Sequence, residues 1–271
     1  MWLRHQLRDR LSASRVKLAT WNVNSVRQRE SHIARWLARV SPEVLFLQEI
    51  KCEAPAFPSA AFEALGYRCE VVGQKAYNGV AALCRVPFEV IHRRLPGLPD
   101  DDAQARYVEI VAGGMTLGGL YLPNGNSGGE VGYAYKLAWM AALGQHSAEL
   151  LAADKQVAFL GDFNVCPTDD DFANGTLNAE DALVRPPTRA AYRLMLWQGL
   201  TDAARAIHPV GSAYTFWDYQ AGAWPRDKGL RIDLALLSPN LAERLVSVVP
   251  DREERAQQQP SDHVPLVIEL S

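Results

Sequence analysis

Residues 157–164 read Val-Ala-Phe-Leu-Gly-Asp-Phe-Asn. The four apolar residues read as a short strand, and Gly161, Asp162 and Asn164 follow at its carboxyl end. A side chain placed there leaves the core and can reach a shared site. The pattern recurs: Asn22 and Asn24 follow Leu-Ala-Thr-Trp, and Gln48 and Glu49 follow Val-Leu-Phe-Leu. Asp233 lies inside Leu-Arg-Ile-Asp-Leu-Ala-Leu-Leu, and Asp262 and His263 precede a final apolar run.

Working outward, strands are predicted at Val16–Trp21, Val44–Leu47, Tyr67–Val72, Val80–Leu83, Tyr107–Val111, Met115–Tyr121, Val157–Leu160, Ile232–Leu237 and Val264–Ile268. Helices alternate with some of them. In Val26–Val40 the apolar stripe is Ile33, Trp36, Leu37 and Val40, and a second helix carries Leu137, Met140, Ala141 and Ala148. Alternation of this kind predicts a mixed α/β architecture. The irregular stretches Cys84–Ala105, Asn124–Gly132, Val165–Pro187 and Trp217–Gly229 are rich in Gly, Pro, Asp or Asn, as functional loops of compact domains tend to be.

A chain of 271 residues with 48% hydrophobic content can bury a sizeable core as one domain. The expectation is a single domain over residues 16–271 behind a basic extension at residues 1–15, in which Arg4, Arg8, Arg10 and Arg15 accompany Trp2, Leu3, Leu7 and Leu11 at helical spacing. No apolar run is long enough to span a bilayer and no secretory leader is evident, which predicts a cytoplasmic protein without a membrane partner. Cys52, Cys69, Cys84 and Cys166 lie apart, without zinc-ligand spacing, and read as reduced thiols. The net charge of −3 shows none of the strongly basic character of a protein that holds nucleic acid by phosphate neutralisation alone. Any nucleic-acid partner must be met by local charge and by metal.

Singly, each polar residue has an ordinary reading: Asn22 as a turn former, Glu49 as a helix cap, Asp162 as a turn residue, His263 as a surface histidine. Together they do not, because a strand-embedded Asp233 needs a cation, a metal or a histidine proton to offset its desolvation. His263 is the natural partner. Glu49, Asp162, Asp233 and Asp262 with two asparagines form an oxygen-rich set, suited to Mg²⁺ or Mn²⁺ rather than zinc. Because Mg²⁺ keeps positions for water and substrate phosphate, phosphoryl chemistry is implied.

Eight motifs in order sharpen this: Thr20-Trp-Asn-Val-Asn-Ser-Val-Arg27, Leu47-Gln-Glu-Ile-Lys51, Tyr77-Asn-Gly-Val80, Leu120-Tyr-Leu-Pro-Asn-Gly125, Gly161-Asp-Phe-Asn164, Tyr214-Thr-Phe-Trp-Asp-Tyr219, Gly229-Leu-Arg-Ile-Asp233 and Ser261-Asp-His263. The set resembles the exonuclease III branch of the endonuclease/exonuclease/phosphatase superfamily over residues 17–268. The resemblance implies a four-layer α/β sandwich, two mixed β-sheets face to face with helices outside and the site at one edge. It implies Glu49 as principal metal ligand with Asn22 beside it and Asp262 near the metal. Asp162 matches the general base, Asn164 a residue aligning water and phosphate, and Tyr121 a phenol on the phosphate. His263 matches the histidine facing the scissile phosphate, oriented by Asp233.

The implied activity is hydrolysis of double-stranded DNA 5′ to abasic sites, with 3′-to-5′ trimming of blocked 3′ ends, by a monomer. Arg27, Lys51, Lys75, Lys136, Arg226 and Lys228 lie in or beside the motif loops and would form a basic rim. Phe216 and Leu230, with Trp217 and Ile232 alongside, match an apolar pocket for a flipped-out sugar, Tyr77 a minor-groove probe and Asn124 a further substrate contact. The chain departs from the pattern at Asn24, acidic in some relatives, at the weakly charged Gly128-Gly-Glu-Val-Gly132, and at Gln257-Gln-Gln-Pro, which has no lysine. Two alternatives carry the same fold: a phosphodiesterase or phosphatase for inositol or lipid phosphates, and a non-catalytic nucleic-acid-binding relative, which would lack carboxylates present here.

Overall fold

The computed structural model describes residues 15–271; the basic extension expected at residues 1–15 lies, but for Arg15, outside them. Twelve strands form two six-stranded sheets among the described residues. The first has the order β11-β12-β1-β2-β4-β3, with β1 Val16–Asn22, β2 Val44–Gln48, β3 Arg68–Val72, β4 Val80–Cys84, β11 Leu245–Pro250 and β12 Leu266–Leu270. The second has the order β5-β6-β7-β8-β10-β9, with β5 Phe88–His92, β6 Tyr107–Ala112, β7 Met115–Tyr121, β8 Val157–Asp162, β9 Thr201–Asp202 and β10 Asp233–Leu237. Both are mixed: β1 with β2 and β7 with β8 are parallel, and their neighbours are antiparallel.

The apolar runs are continuous because the strands are covered on both faces. Val44 and Phe46 of β2, Ala158 and Leu160 of β8, and Ala235 and Leu237 of β10 meet in the core between the sheets. Their neighbours in sequence point the other way, as the two-residue period of a strand requires. Leu45 and Leu47 pack outward under helix α1 (Val26–Val40), against Ile33, Trp36 and Leu37. Val157, Phe159, Leu234 and Leu236 pack outward under α3 (Gly129–Ala152) and α4 (Pro186–Trp197), against Trp139, Leu143, Tyr192 and Met195. The result is the expected four-layer sandwich. Short helices α2 (Ser59–Glu63), α5 (Ala203–Ile207) and α6 (Pro239–Ala242) complete it.

Several sequence expectations need correction. The loop expected over Cys84–Ala105 contains β5, whose half-buried and exposed residues alternate, and β11 (Leu-Val-Ser-Val-Val-Pro) has no counterpart among the predicted strands. The loop expected to end at Pro187 ends at Arg185, because Pro186 and Pro187 open α4, where a missing N–H costs nothing. On α3 the buried face runs through Tyr133, Lys136, Met140 and Leu143, whereas Ala141 is exposed. Alanines around that helix blur its stripe, and the bulky residues decide which face is buried. No helix among the described residues is long and apolar enough to cross a membrane.

Candidate active site

Parallel pairing aligns the carboxyl ends of strands, and here it gathers the polar residues at one edge of the sandwich. Asn22 pairs with Gln48 at the ends of β1 and β2, and Tyr121 with Asp162 at the ends of β7 and β8. Antiparallel β10 brings its first residue, Asp233, beside Asp162. Before Asp162, Gly161 lies so close to β7 that a Cβ would run into the Leu120 carbonyl. Glu49 and Asn164 then turn out of their strands with φ of 49° and 47°, a left-handed conformation that non-glycine residues hold only where surroundings enforce it.

The Asn22 Nδ2 group donates to Glu49 Oε1 at 2.9 Å and to Asp162 Oδ2 at 3.1 Å, so one amide draws two carboxylates together. Asp162 Oδ1 accepts the backbone N–H of Asn164 at 2.9 Å. His263 places Nδ1 2.8 Å from Asp233 Oδ2 and Nε2 3.8 Å from Asp162 Oδ2. Phe216 meets the edge of this imidazole, with ring centroids 4.9 Å apart. Behind them, Thr215 Oγ1 accepts the Asp233 N–H, and Ser261 Oγ donates to the Asn22 carbonyl. These two hydroxyls fix the cluster from within the Tyr214–Tyr219 and Ser261–His263 motifs, although the sequence assigns neither a role.

Glu49, Asp162 and His263 offer ligand atoms within 4.8 Å of one another. Burial raises the Asp162 carboxyl, Asp233 adds to the rise, and His263 opposes it. Burial alone would lower His263; the adjacent Asp233 overrides it and holds the imidazole protonated well above its ordinary range. Burial would raise Glu49, but Asn22 and Lys51, whose Nζ lies 2.9 Å from Oε2, hold it below the usual value. Burial raises the Tyr121 phenol, with Glu49 and Asp162 adding, so it stays protonated.

A cleft of about 290 Å³ is lined by Glu49, Tyr121, Asn124, Asp162, Asn164, Phe216, Leu230, Asp262 and His263. Asn22 and Asp233 lie beneath it, fully buried. Asp262 stands at its margin and accepts a bond from Asn24, whose side-chain oxygen in turn receives Lys51. Arg27 and Tyr77 are exposed and do not line the cleft, and Lys75 and Arg226 are likewise exposed. Trp217 is fully buried and donates to Asp227 at 2.9 Å; it supports the pocket from behind. Lys136, expected on a basic rim, is instead fully buried. Its Nζ donates to the carbonyls of Asn124 at 3.0 Å and Asn164 at 2.5 Å, joining the loops after β7 and β8.

The model of the Endonuclease/Exonuclease/phosphatase family matches residues 19–263. The chain belongs to that family. Within it, the chain is 33% identical to exodeoxyribonuclease III of Haemophilus influenzae over 94% of its own length and all of that protein. Among solved structures, a form of the 3′ phosphatase NExo from Neisseria, bound to product DNA hairpin, superposes with a TM-score of 0.89 at 37% identity, covering 94% of this chain and 99% of that one. An AP endonuclease from Archaeoglobus fulgidus gives the same score at 34% identity, with the same coverages.

Proposed function

We propose that this protein is a divalent-metal-dependent phosphodiester hydrolase of DNA repair, incising double-stranded DNA 5′ to abasic sites and trimming 3′ ends. The observation that carries the reading is the alignment of Asp233, hydrogen-bonded to His263 at 2.8 Å, with Asp162 3.8 Å from the other imidazole nitrogen, and Asn22 tying Asp162 to Glu49. The names of the relatives, an exodeoxyribonuclease, a 3′ phosphatase and an AP endonuclease, support DNA as the substrate class.

The donor set fits a hard cation. Glu49, Asp162 and Asp233, with Asp262 at the margin, outnumber the His263 imidazolium and the Lys51 ammonium, and the oxygens that converge are carboxylate oxygens without a thiol. Glu49, with Asn22 and Asp262 nearby, would hold Mg²⁺ or Mn²⁺. When bound, the ion would offset phosphate charge and strengthen the electrophilicity of the phosphorus.

The remaining chemistry belongs to the chain. Asp162, raised toward neutrality by burial, is suited to take a proton from the attacking water at Oδ2, while the Asn164 N–H holds Oδ1 and keeps the carboxyl in orientation. The His263 imidazolium, fixed through Nδ1 by Asp233, presents Nε2–H to a phosphate oxygen whose charge grows in the transition state. Tyr121, a neutral phenol, supplies a second donor. Phe216 and Leu230 form an apolar wall beside the imidazole that a baseless sugar can fill.

A substrate panel in Mg²⁺ tests this reading. Duplex DNA with one abasic analogue and duplexes with a 3′-phosphate should be processed, whereas inositol polyphosphates and sphingolipid phosphodiesters should not. Turnover of the latter alone would place the chain in the lipid and inositol class instead.

A further inference from the structure

A second cluster of ligand-type side chains lies on the outer face of the second sheet. His92 of β5 and Glu109 of β6 are cross-strand partners, and His146 of α3 reaches the same carboxylate from above. His146 Nε2 lies 2.6 Å from Glu109 Oε2, and His92 Nε2 lies 4.0 Å from Oε1. The three ligand atoms are within 4.8 Å of one another, and the imidazoles meet edge to face at 5.7 Å. Tyr107 Oη donates to Glu109 Oε2 at 2.5 Å, which fixes the carboxylate from a third side.

We propose that His92, Glu109 and His146 form a second, structural metal site selective for a borderline cation of the Zn²⁺ class. Two nitrogens and one carboxylate oxygen are a recurring three-ligand zinc set, whereas Mg²⁺ prefers oxygen alone. An ordinary buried ion pair would need only one imidazole. Glu109 is 1% exposed and already has His146 on one oxygen, yet a second imidazole stands 4.0 Å from its other oxygen, more ligand atoms than one buried carboxylate needs. A bound ion gives both imidazoles a use as neutral ligands, with Tyr107 as the outer partner that orients the carboxylate. The His92 side chain is 41% exposed, which leaves an entry path and a solvent-facing fourth position. Tetrahedral ligands stand about 3.3 Å apart around zinc. Glu109 and His146 must part slightly and His92 close in. The irregular register between Val90 and His92 puts that adjustment on an edge strand, which has only one neighbour to hold it. The ion would fasten β5 to β6 and α3, outside the proposed nuclease cleft.

The test uses the full chain, stripped with a chelator and titrated with Zn²⁺ alone at neutral pH by calorimetry and by thermal melting. Wild type should bind Zn²⁺ at this site and melt at higher temperature. His92→Ala should weaken that binding at least about tenfold and abolish the melting shift, while its Mg²⁺-dependent nuclease rate stays within about twofold of wild type. Glu49→Gln, altered in the cleft, should keep the shift. The site is disproved if wild type takes up no Zn²⁺, if His92→Ala responds as wild type does, or if Glu49→Gln rather than His92→Ala loses the response.

Discussion

His263 Nδ1 and Asp233 Oδ2 lie 2.8 Å apart, although 30 residues of chain separate them. Asp233 is fully buried and its other oxygen, Oδ1, has no hydrogen-bond partner, so its charge is directed at the imidazole. The pair therefore sets both the tautomer and the charge of His263. Asp233→Asn should lower single-turnover cleavage by about two to four orders of magnitude, with the dissociation constant for DNA nearly unchanged. A loss confined to DNA binding, measured by fluorescence anisotropy, would give Asp233 a purely structural role.

Lys136 is the second hidden determinant. Burial pushes its ammonium down to about 7, against the opposing pull of Asp162 and Asp181, yet it holds two loop carbonyls at once. Through them it positions Asn124 and Asn164, which are joined at 2.8 Å. Lys136→Ala should leave the KM for DNA near wild type and reduce kcat about ten- to a hundredfold, since a shift of order 1 Å in an aligning group has that effect. A kcat within about twofold of wild type would remove Lys136 from any positioning role.

Asp171 anchors the loop behind the apolar wall. It is fully buried, pairs with Arg231 at 2.6 Å and with Arg205, and precedes Phe172, which bridges to Leu230. Breaking a buried pair from one side costs about 3 kcal/mol or more, so Asp171→Asn should unfold at clearly lower urea concentration at neutral pH. Burial would raise the Asp171 carboxyl, but Arg231 and Arg205 hold it below the usual range. A depressed carboxylate contributes stability above its unfolded value and loses it as pH falls through the folded value. The wild-type advantage should therefore narrow below about pH 4. A constant advantage down to about pH 3 would contradict the ion-pair account.

What the sequence made legible follows from burial. β2, β8 and β10 are covered on both faces, so they appear as uninterrupted apolar runs with polar residues at their ends. Asp233 and His263 could be paired because a carboxylate inside such a run needs a partner. Edge strand β5 was illegible, since a half-exposed strand carries polar residues that resemble loop. Charge alone misled at Lys136, where a lysine near glycines and asparagines reads as a rim cation until tertiary contacts show it buried. Trp217 sits within a motif yet faces the interior, because adjacent residues of an extended segment point opposite ways: Phe216 toward the imidazole, Trp217 toward Asp227. The Arg231–Asp171 pair spans 60 residues and has no local signature.

The central claim is that this edge cluster hydrolyses the DNA backbone with a divalent metal, using Asp162 to activate water. It is tested most directly by single-turnover incision of a 5′-labelled duplex carrying one abasic analogue, with wild type and Asp162→Asn at matched DNA occupancy. Wild type with Mg²⁺ should give one product ending immediately 5′ to the lesion with a 3′-hydroxyl, and none after chelation. Asp162→Asn should bind the duplex and cut it at least about a thousandfold more slowly. Incision that persists in chelator, or an Asp162→Asn rate close to wild type, would contradict the account.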